Sequence, residues 1–233
     1  MSMARTLFEL VGADPEIRFS PYCWRARMAL LHKGLDAEIR PWRFIERDAL
    51  AFAGHDKVPV LVDGERAVVD SWAIALDLEE RYPDRPSLFG GEGGVGPTRF
   101  VAAFADTVIM PGIAGLIVAD IWHALDEESR GYFRETREKR FGRKLEEVCE
   151  GREDRVEGFR KLLQPVRVTL AERPFIGGEQ PLHADYVLFG GFMWARSVSR
   201  FELLAEDDAV WAWRERMLDL FEGYARKSKR VAA

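Results

Sequence analysis

The chain has 233 residues, 47% of them hydrophobic, which is enough apolar material for one or two packed domains. A formal net charge of −5 and a pI near 5.6 argue against a nucleic-acid-binding surface. No charged segment followed by an apolar run opens the chain, and no uninterrupted apolar stretch approaches the roughly 20 residues of a membrane span, so a cytoplasmic protein without a membrane partner is expected.

In chain order, Thr6 to Val11 is short and β-prone, and the stretch from Phe19 to Gly34 reads as a loop that turns abruptly into a helix. Ser20 suits the N-cap, Pro21 suits the first helical position, Trp24, Met28 and Leu31 recur on one face, and Gly34 stops the run. Strand, loop and helix in that order bring free N–H groups, the positive end of the helix dipole and the Ser20 hydroxyl to one place, a setting for an anion. Ser-Pro alone is a common capping device, so Ser20 needs company. A short strand from Ala37 to Arg40 and an irregular segment from Pro41 to Asp56 follow. Val58–Pro59 then stands at the mouth of a β run, as a candidate cis bond, and Asp63–Gly64 turns the chain back as a hairpin. Asp70 and Ser71 precede a second helix, with Ser71 as its cap.

The glycine run from Gly90 to Gly96 reads as a linker without regular structure, and Pro97 and Thr98 open a helical half. There a first helix is expected to kink or break at Pro111–Gly112 before Ile113 to Trp122, and Glu153 to Glu172 reads as one helix kinked at Pro165. The basic run from Arg134 to Arg143 is taken as a solvated helix face. A closing helix from about Asp208 to Tyr224 carries Val210, Trp213, Met217, Leu220 and Tyr224 inward, and the basic tail Arg226 to Arg230 is expected to fray. Two cysteines in different halves, Cys23 and Cys149, fit a reduced compartment, and four dispersed histidines give no reason to expect a metal site.

Ser20–Pro21–Tyr22–Cys23, Val58–Pro59, Asp70–Ser71, Tyr82–Pro83 and the run Pro86 to Phe89 together resemble the thioredoxin-like domain of a cytosolic glutathione transferase, in that family's order and spacing. The phrases SPYCWRARMALLHKGL, VPVLVDGE and VVDSWAIALDLEERYPDRPSLF are further similar to the bacterial β-etherase branch, whose members cleave lignin-type aryl ethers with glutathione. The resemblance implies an α/β thioredoxin-like glutathione-binding domain over residues 1–90, a Gly-rich linker over 91–97 and an all-α domain over 98–233 that carries a hydrophobic substrate site. It also implies glutathione as co-substrate, a hydrophobic electrophile as second ligand, and a homodimer. Phe175 to Gly178 and His183 to Tyr186 resemble the family's signature before a central buried helix, except that its Ser or Thr cap is Leu182, which leaves Asp185 to bond backbone N–H groups alone as a structural residue.

Carried onto this sequence, the resemblance makes Ser20 the hydroxyl that stabilises the glutathione thiolate. Val58 pairs with the cysteinyl unit, Pro59 fixes the strand entry, and Asp70 and Ser71 take the γ-glutamyl ammonium and carboxylate. Arg43, His55 and Lys57 are candidates for the glycyl carboxylate by charge, and only Lys57 adjoins a motif. Tyr22, Ile113, Ile117, Trp122 and Trp194 are candidates for the electrophile pocket, although each also suits a core. Ser-Pro-Tyr-Cys differs from a glutaredoxin-like dithiol only at its first residue, so a thiol transferase using Cys23 is an alternative. A binding module without turnover is another, and Tyr22 is a rival to Ser20 as hydroxyl donor.

Overall fold

The computed structural model describes residues 5–232. Four strands form one mixed sheet in the order β2-β1-β3-β4: β1 Arg5–Leu10, β2 Glu38–Trp42, β3 Val60–Asp63 and β4 Arg66–Val69. β1 runs parallel to β2, with Leu7 opposite Ile39, and antiparallel to β3, with Leu7 opposite Leu61. Helix α1 (Pro21–His32) makes the crossover that a parallel β1–β2 pair requires, and α2 (Ser71–Arg81) follows the hairpin and packs beside it. Leu7, Val60 and Leu61 from the sheet meet Ala26, Met28, Ala29, Ile74 and Leu78 from the helices, all fully buried.

The rest of the described chain is helical, so the expected α/β half followed by an all-α half is found. Its elements are α3 Val95–Phe104, α4 Met110–Ala124, α5 Glu127–Phe141, α6 Leu145–Cys149, α7 Arg152–Leu162, α8 Gln164–Leu170, α9 His183–Val198 and α10 Ala209–Gly223. Helix α9 is buried on nearly every side and lies along α1. Because α1 has the sheet on one side and α9 on the other, nine of its twelve residues are buried, Arg25 and Arg27 included. Those two cations are paired, Arg25 with Asp106 at 2.7 Å and Arg27 with Glu9 at 2.9 Å. Close approach of the two helices depends on Gly190, where a Cβ would stand 2.4 Å from the Pro21 carbonyl oxygen.

Several expectations change. The cap of α2 is Asp70, whose Oδ1 accepts from the N–H groups of Trp72 and Ala73, while Ser71 is the first helical residue and buried. Helix begins at Val95, inside the glycine run, after a single 3₁₀ turn at Glu92–Gly94, and Gly94 is needed because a Cβ there would meet the Phe89 carbonyl oxygen at 1.8 Å. Pro111 does not end its helix: a π-turn at Ala105–Ile109 joins α3 to α4, and Pro111 follows within the first turn of α4. The resulting helix, Glu92–Ala124, spans 33 residues and is long and apolar enough to cross a membrane by composition. Here its apolar faces pack against α6, α7 and α9.

Glu153 to Glu172 divides at Leu163, and Pro165 sits in the first turn of α8, where a proline costs no hydrogen bond. The inner face of α10 holds as far as Met217, but Phe221 and Glu222 take φ of 52° and 58°, so the helix turns before Tyr224. Its tail is docked rather than frayed. Ala225 is fully buried, Arg226 pairs with Glu215 and Asp219, and Lys229 reaches Asp14 and Glu16 at 2.7 Å in the α/β half. The basic run on α5 is not wholly solvated either, since Arg137 is half-buried against the Phe44 and Phe133 rings. Asp185 accepts from Ile176, Gly177 and Leu182 N–H and also from the Trp213 indole at 2.9 Å, a side-chain partner beyond the expected backbone set.

Candidate active site

Ser20 is the N-cap of α1, with extended backbone (φ −62°, ψ 124°), and its Oγ accepts from the Cys23 N–H at 3.3 Å. With one lone pair so engaged, its O–H proton is available to donate. The residue is buried by the loop around it and opens onto a cleft of about 610 Å³ between the sheet domain and helices α4, α5 and α9. Lys57 and Val58 stand on the same cleft, and the Val58–Pro59 bond that follows is cis.

A second cleft of about 290 Å³ adjoins the first through Tyr22 and Asp106, which line both. Asp70 and Ser71 line it. Asp70 holds φ 78°, ψ 137°, a left-handed value that costs a non-glycine residue on the order of 1–3 kcal/mol and is kept in place by its two cap bonds and by its own N–H donating to the Pro59 carbonyl at 3.2 Å. That backbone bond joins the Val58–Pro59 and Asp70–Ser71 portions into one unit. Among the described residues the Ser71 hydroxyl has no hydrogen-bond partner, and it lies at the positive end of α2. The two clefts together therefore present a hydroxyl at one helix start, an acid and a hydroxyl at another, and a β-strand entry between them.

Cys23 is shut in the first turn of α1, and burial, with Glu9 nearby, pushes its thiol up to about 12 despite the Ser20 hydroxyl beside it. Such a thiol is protonated and inert at neutral pH. Burial, then the Asp106 charge, also raises the Tyr22 phenol, whose ring lies 4.6 Å from the Arg25 guanidinium. Phe44, Trp194, Met110, Pro111, Ala114, Ile121 and Phe133 give the large cleft its apolar lining.

Of the five candidates for an electrophile pocket, Tyr22 and Trp194 stand on the large cleft, and the other three do not. Ile113 and Ile117 are fully buried in the core, and Trp122 is stacked outside it under Arg130 and Arg134. Arg43 is taken up by Glu46 and lies 3.7 Å from Asp126, and His55 bonds the Lys57 backbone, whereas Lys57 has no carboxylate within 4 Å among the described residues. Sequence reading missed Arg25, Asp106, Arg99 and His183 on the small cleft and Arg137 and Arg140 on the large one. His183 is fully buried among Trp72, Phe89 and Tyr186, and burial first, then the Arg25 charge, lowers its pKa to about 3. Arg25 lies in α1 only three residues after Tyr22, whereas Arg99, Asp106, Arg137, Arg140 and His183 reach the site from elements distant in sequence, where the signal was weak.

Residues 15–86 match the family model described as the glutathione S-transferase N-terminal domain, and residues 98–224 match the one described as its C-terminal domain. A glutathione S-transferase-like protein, ustS, of Aspergillus flavus is 28% identical over 175 residues, which is 69% of this chain and 58% of that protein, so the chain spans little more than half of that relative's length. The crystal structure of the glutathione transferase GSTFuA3 from Phanerochaete chrysosporium superposes with a TM-score of 0.78 at 26% identity over 100% of both chains. A Ceriporiopsis subvermispora glutathione S-transferase, in complex with glutathione, gives a TM-score of 0.76 at 23% identity over 97% of this chain and 94% of that one, and supports the fold. With both of its halves matched, the chain belongs to the glutathione S-transferase family.

Proposed function

We propose that this chain is a glutathione-dependent transferase in which Ser20 stabilises the thiolate. The observation that carries the reading is the Ser20 hydroxyl at the start of α1, opening onto a large cleft with apolar walls. Glutathione fits the joined clefts: Asp70 takes its ammonium, the Ser71 hydroxyl and N–H take the γ-glutamyl carboxylate, Val58 pairs with the cysteinyl backbone beside Pro59, and Lys57 takes the glycyl carboxylate. A related fold crystallised with glutathione agrees with this choice of ligand.

Lowering a thiol's pKa by two units takes roughly 2.7 kcal/mol. A hydroxyl bonded to a charged sulfur supplies roughly 1.5–3 kcal/mol and a helix N-terminus roughly 0.3–1, so Ser20 suffices without a metal or a general base. The thiolate then attacks an electrophilic carbon held against Phe44 and Trp194. With an aryl ether as substrate, the S–C bond forms as the C–O bond breaks, and the aryloxide leaves to be protonated by water. Burial of Cys23 disfavours the thiol-transferase alternative. Turnover with glutathione and either an activated aryl halide or a panel of β-aryl ether dimers tests the reading. Thioether from the halide supports a transferase, thioether from a dimer supports β-ether cleavage, and product from neither leaves a binding module. From the family resemblance we extend the reading to a homodimer, which sedimentation at micromolar concentration checks.

A further inference from the structure

The polar groups on the large cleft do not balance. Both of its acids are engaged, Asp106 with Arg25 at 2.7 Å and Asp56 with Arg47 at 3.9 Å. Three cations remain, Lys57, Arg137 and Arg140, and none has a carboxylate within 4 Å among the described residues. Lys57 is placed beside the glutathione strand, which leaves two arginines on α5 with nothing to neutralise them. Arg137 is half-buried, with its guanidinium carbon 4.9 Å from the Phe133 ring and 5.6 Å from the Phe44 ring and its Nη1 donating to the Thr136 hydroxyl at 3.0 Å. Burial, and then the neighbouring charge of Arg140, lowers its pKa. Holding an unpaired cation in an apolar wall next to a like charge is unfavourable, and an arriving anion removes that cost. A guanidinium lying against two rings that also pack on each other, with centroids 5.8 Å apart, is also preorganised for a planar acid group. Arg140 faces the same space from the rim, near enough for its charge to act on the Tyr22 phenol across the cleft.

We propose that the electrophile is an anionic aromatic compound, its ring lying along Phe44 and Phe133 and its acidic substituent bound by Arg137 and Arg140. The proposal rests on the transferase reading for the word electrophile, but the anion preference is a binding property and is measured without turnover. The probes are 4-chloro-3-nitrobenzoate and 4-chloro-3-nitrobenzamide, matched aryl halides that differ in charge. Each is titrated, by quenching of tryptophan fluorescence, into protein saturated with S-methylglutathione, whose blocked sulfur cannot attack the halide, since Trp42 and Trp194 line the cleft. The wild type is expected to bind the benzoate roughly ten- to a hundredfold more tightly, the range of a charged hydrogen bond. Arg137→Gln brings that ratio close to one. Arg140→Gln, at an exposed position with little bearing on folding, lowers it in part. Equal affinity for the two probes in the wild type, or a ratio that survives in the double variant, overturns the proposal. So does a weaker glutathione affinity in Arg137→Gln, which assigns the arginines to the peptide instead. If the benzoate preference holds and neither probe yields a thioether with glutathione itself, the anion site stands and the transferase reading falls.

Discussion

Replacing Ser20 by Ala removes two interactions with different sizes and different readouts. The first is the hydrogen bond to sulfur. At roughly 1.5–3 kcal/mol for a bond to a charged partner, and 1.36 kcal/mol per pKa unit, its loss raises the pKa of the bound glutathione thiol by about one to two units. The start of α1 stays in place in the variant, so its contribution of a few tenths to about 1 kcal/mol persists and the thiol does not return all the way to its solution value. The second is the cap. With Oγ and the Cys23 nitrogen 3.3 Å apart the bond is long, and its loss costs about 1 kcal/mol of folding stability. Ultraviolet absorbance of the bound thiolate against pH measures the first and denaturant unfolding the second, each run beside Cys23→Ala and Tyr22→Phe. Cys23→Ala is expected to leave the thiolate pKa where it was, because the sulfur it removes is buried and protonated. The reasoning is refuted if Tyr22→Phe raises the pKa while Ser20→Ala does not, since the activating hydroxyl then lies two residues further on. It is refuted differently if Cys23→Ala alone abolishes activity, which makes the chemistry thiol–disulfide exchange.

Gly190→Ala forces a Cβ to 2.4 Å from the Pro21 carbonyl oxygen and should lower stability by about 1–3 kcal/mol in denaturant unfolding. As the displaced residue adjoins Ser20, turnover should fall as well, and a variant as stable and active as the wild type contradicts the close α1–α9 contact. Asp185→Ala strips the acceptor from three backbone N–H groups and the Trp213 indole, so a loss of at least about 3 kcal/mol is expected, large enough to appear in the melting temperature. His183 has a folded pKa of about 3 against about 6.5 when unfolded. The unfolded chain therefore binds more protons between those values, and stability that is full above pH 6.5 declines as pH falls towards 3, by at most about 5 kcal/mol. In His183→Asn the acid side of the stability profile should be flatter, and an unchanged slope removes this histidine from the account.

Local signals carried the site's backbone. Caps, a strand-opening proline and a hairpin turn are written within a few residues of one another, so Ser20, Val58–Pro59 and Asp70–Ser71 could be placed from sequence. The cap of α2 shifted by one residue because both Asp and Ser are good capping residues, and the longer Asp70 side chain reaches Trp72 and Ala73 from outside the helix. The pocket wall was less legible for a geometrical reason. Neighbours on a helix differ by about 100° in direction, and the π-turn at Ala105–Ile109 inserts an extra residue that rotates everything after it. From that helix the cleft takes Met110, Ala114 and Ile121, whereas Ile117, on the same stripe between them, is fully buried and off the cleft, so helical spacing alone does not separate wall from core. Arg137 was hidden in the same way, since Phe133, Arg137 and Phe141 share the inward side of a helix whose Arg134 and Glu138 pair on the other. Pairs such as Arg25 with Asp106, 81 positions apart, leave no local trace at all.

The most direct measurement of the central claim is a crystal structure of the wild-type protein grown with glutathione. The account predicts one peptide spanning both clefts, its sulfur within hydrogen-bonding distance of Ser20 Oγ, its γ-glutamyl end at Asp70 and Ser71 and its glycyl carboxylate at Lys57. A sulfur bonded to the Tyr22 hydroxyl, a mixed disulfide with Cys23, or a peptide bound outside these clefts contradicts it.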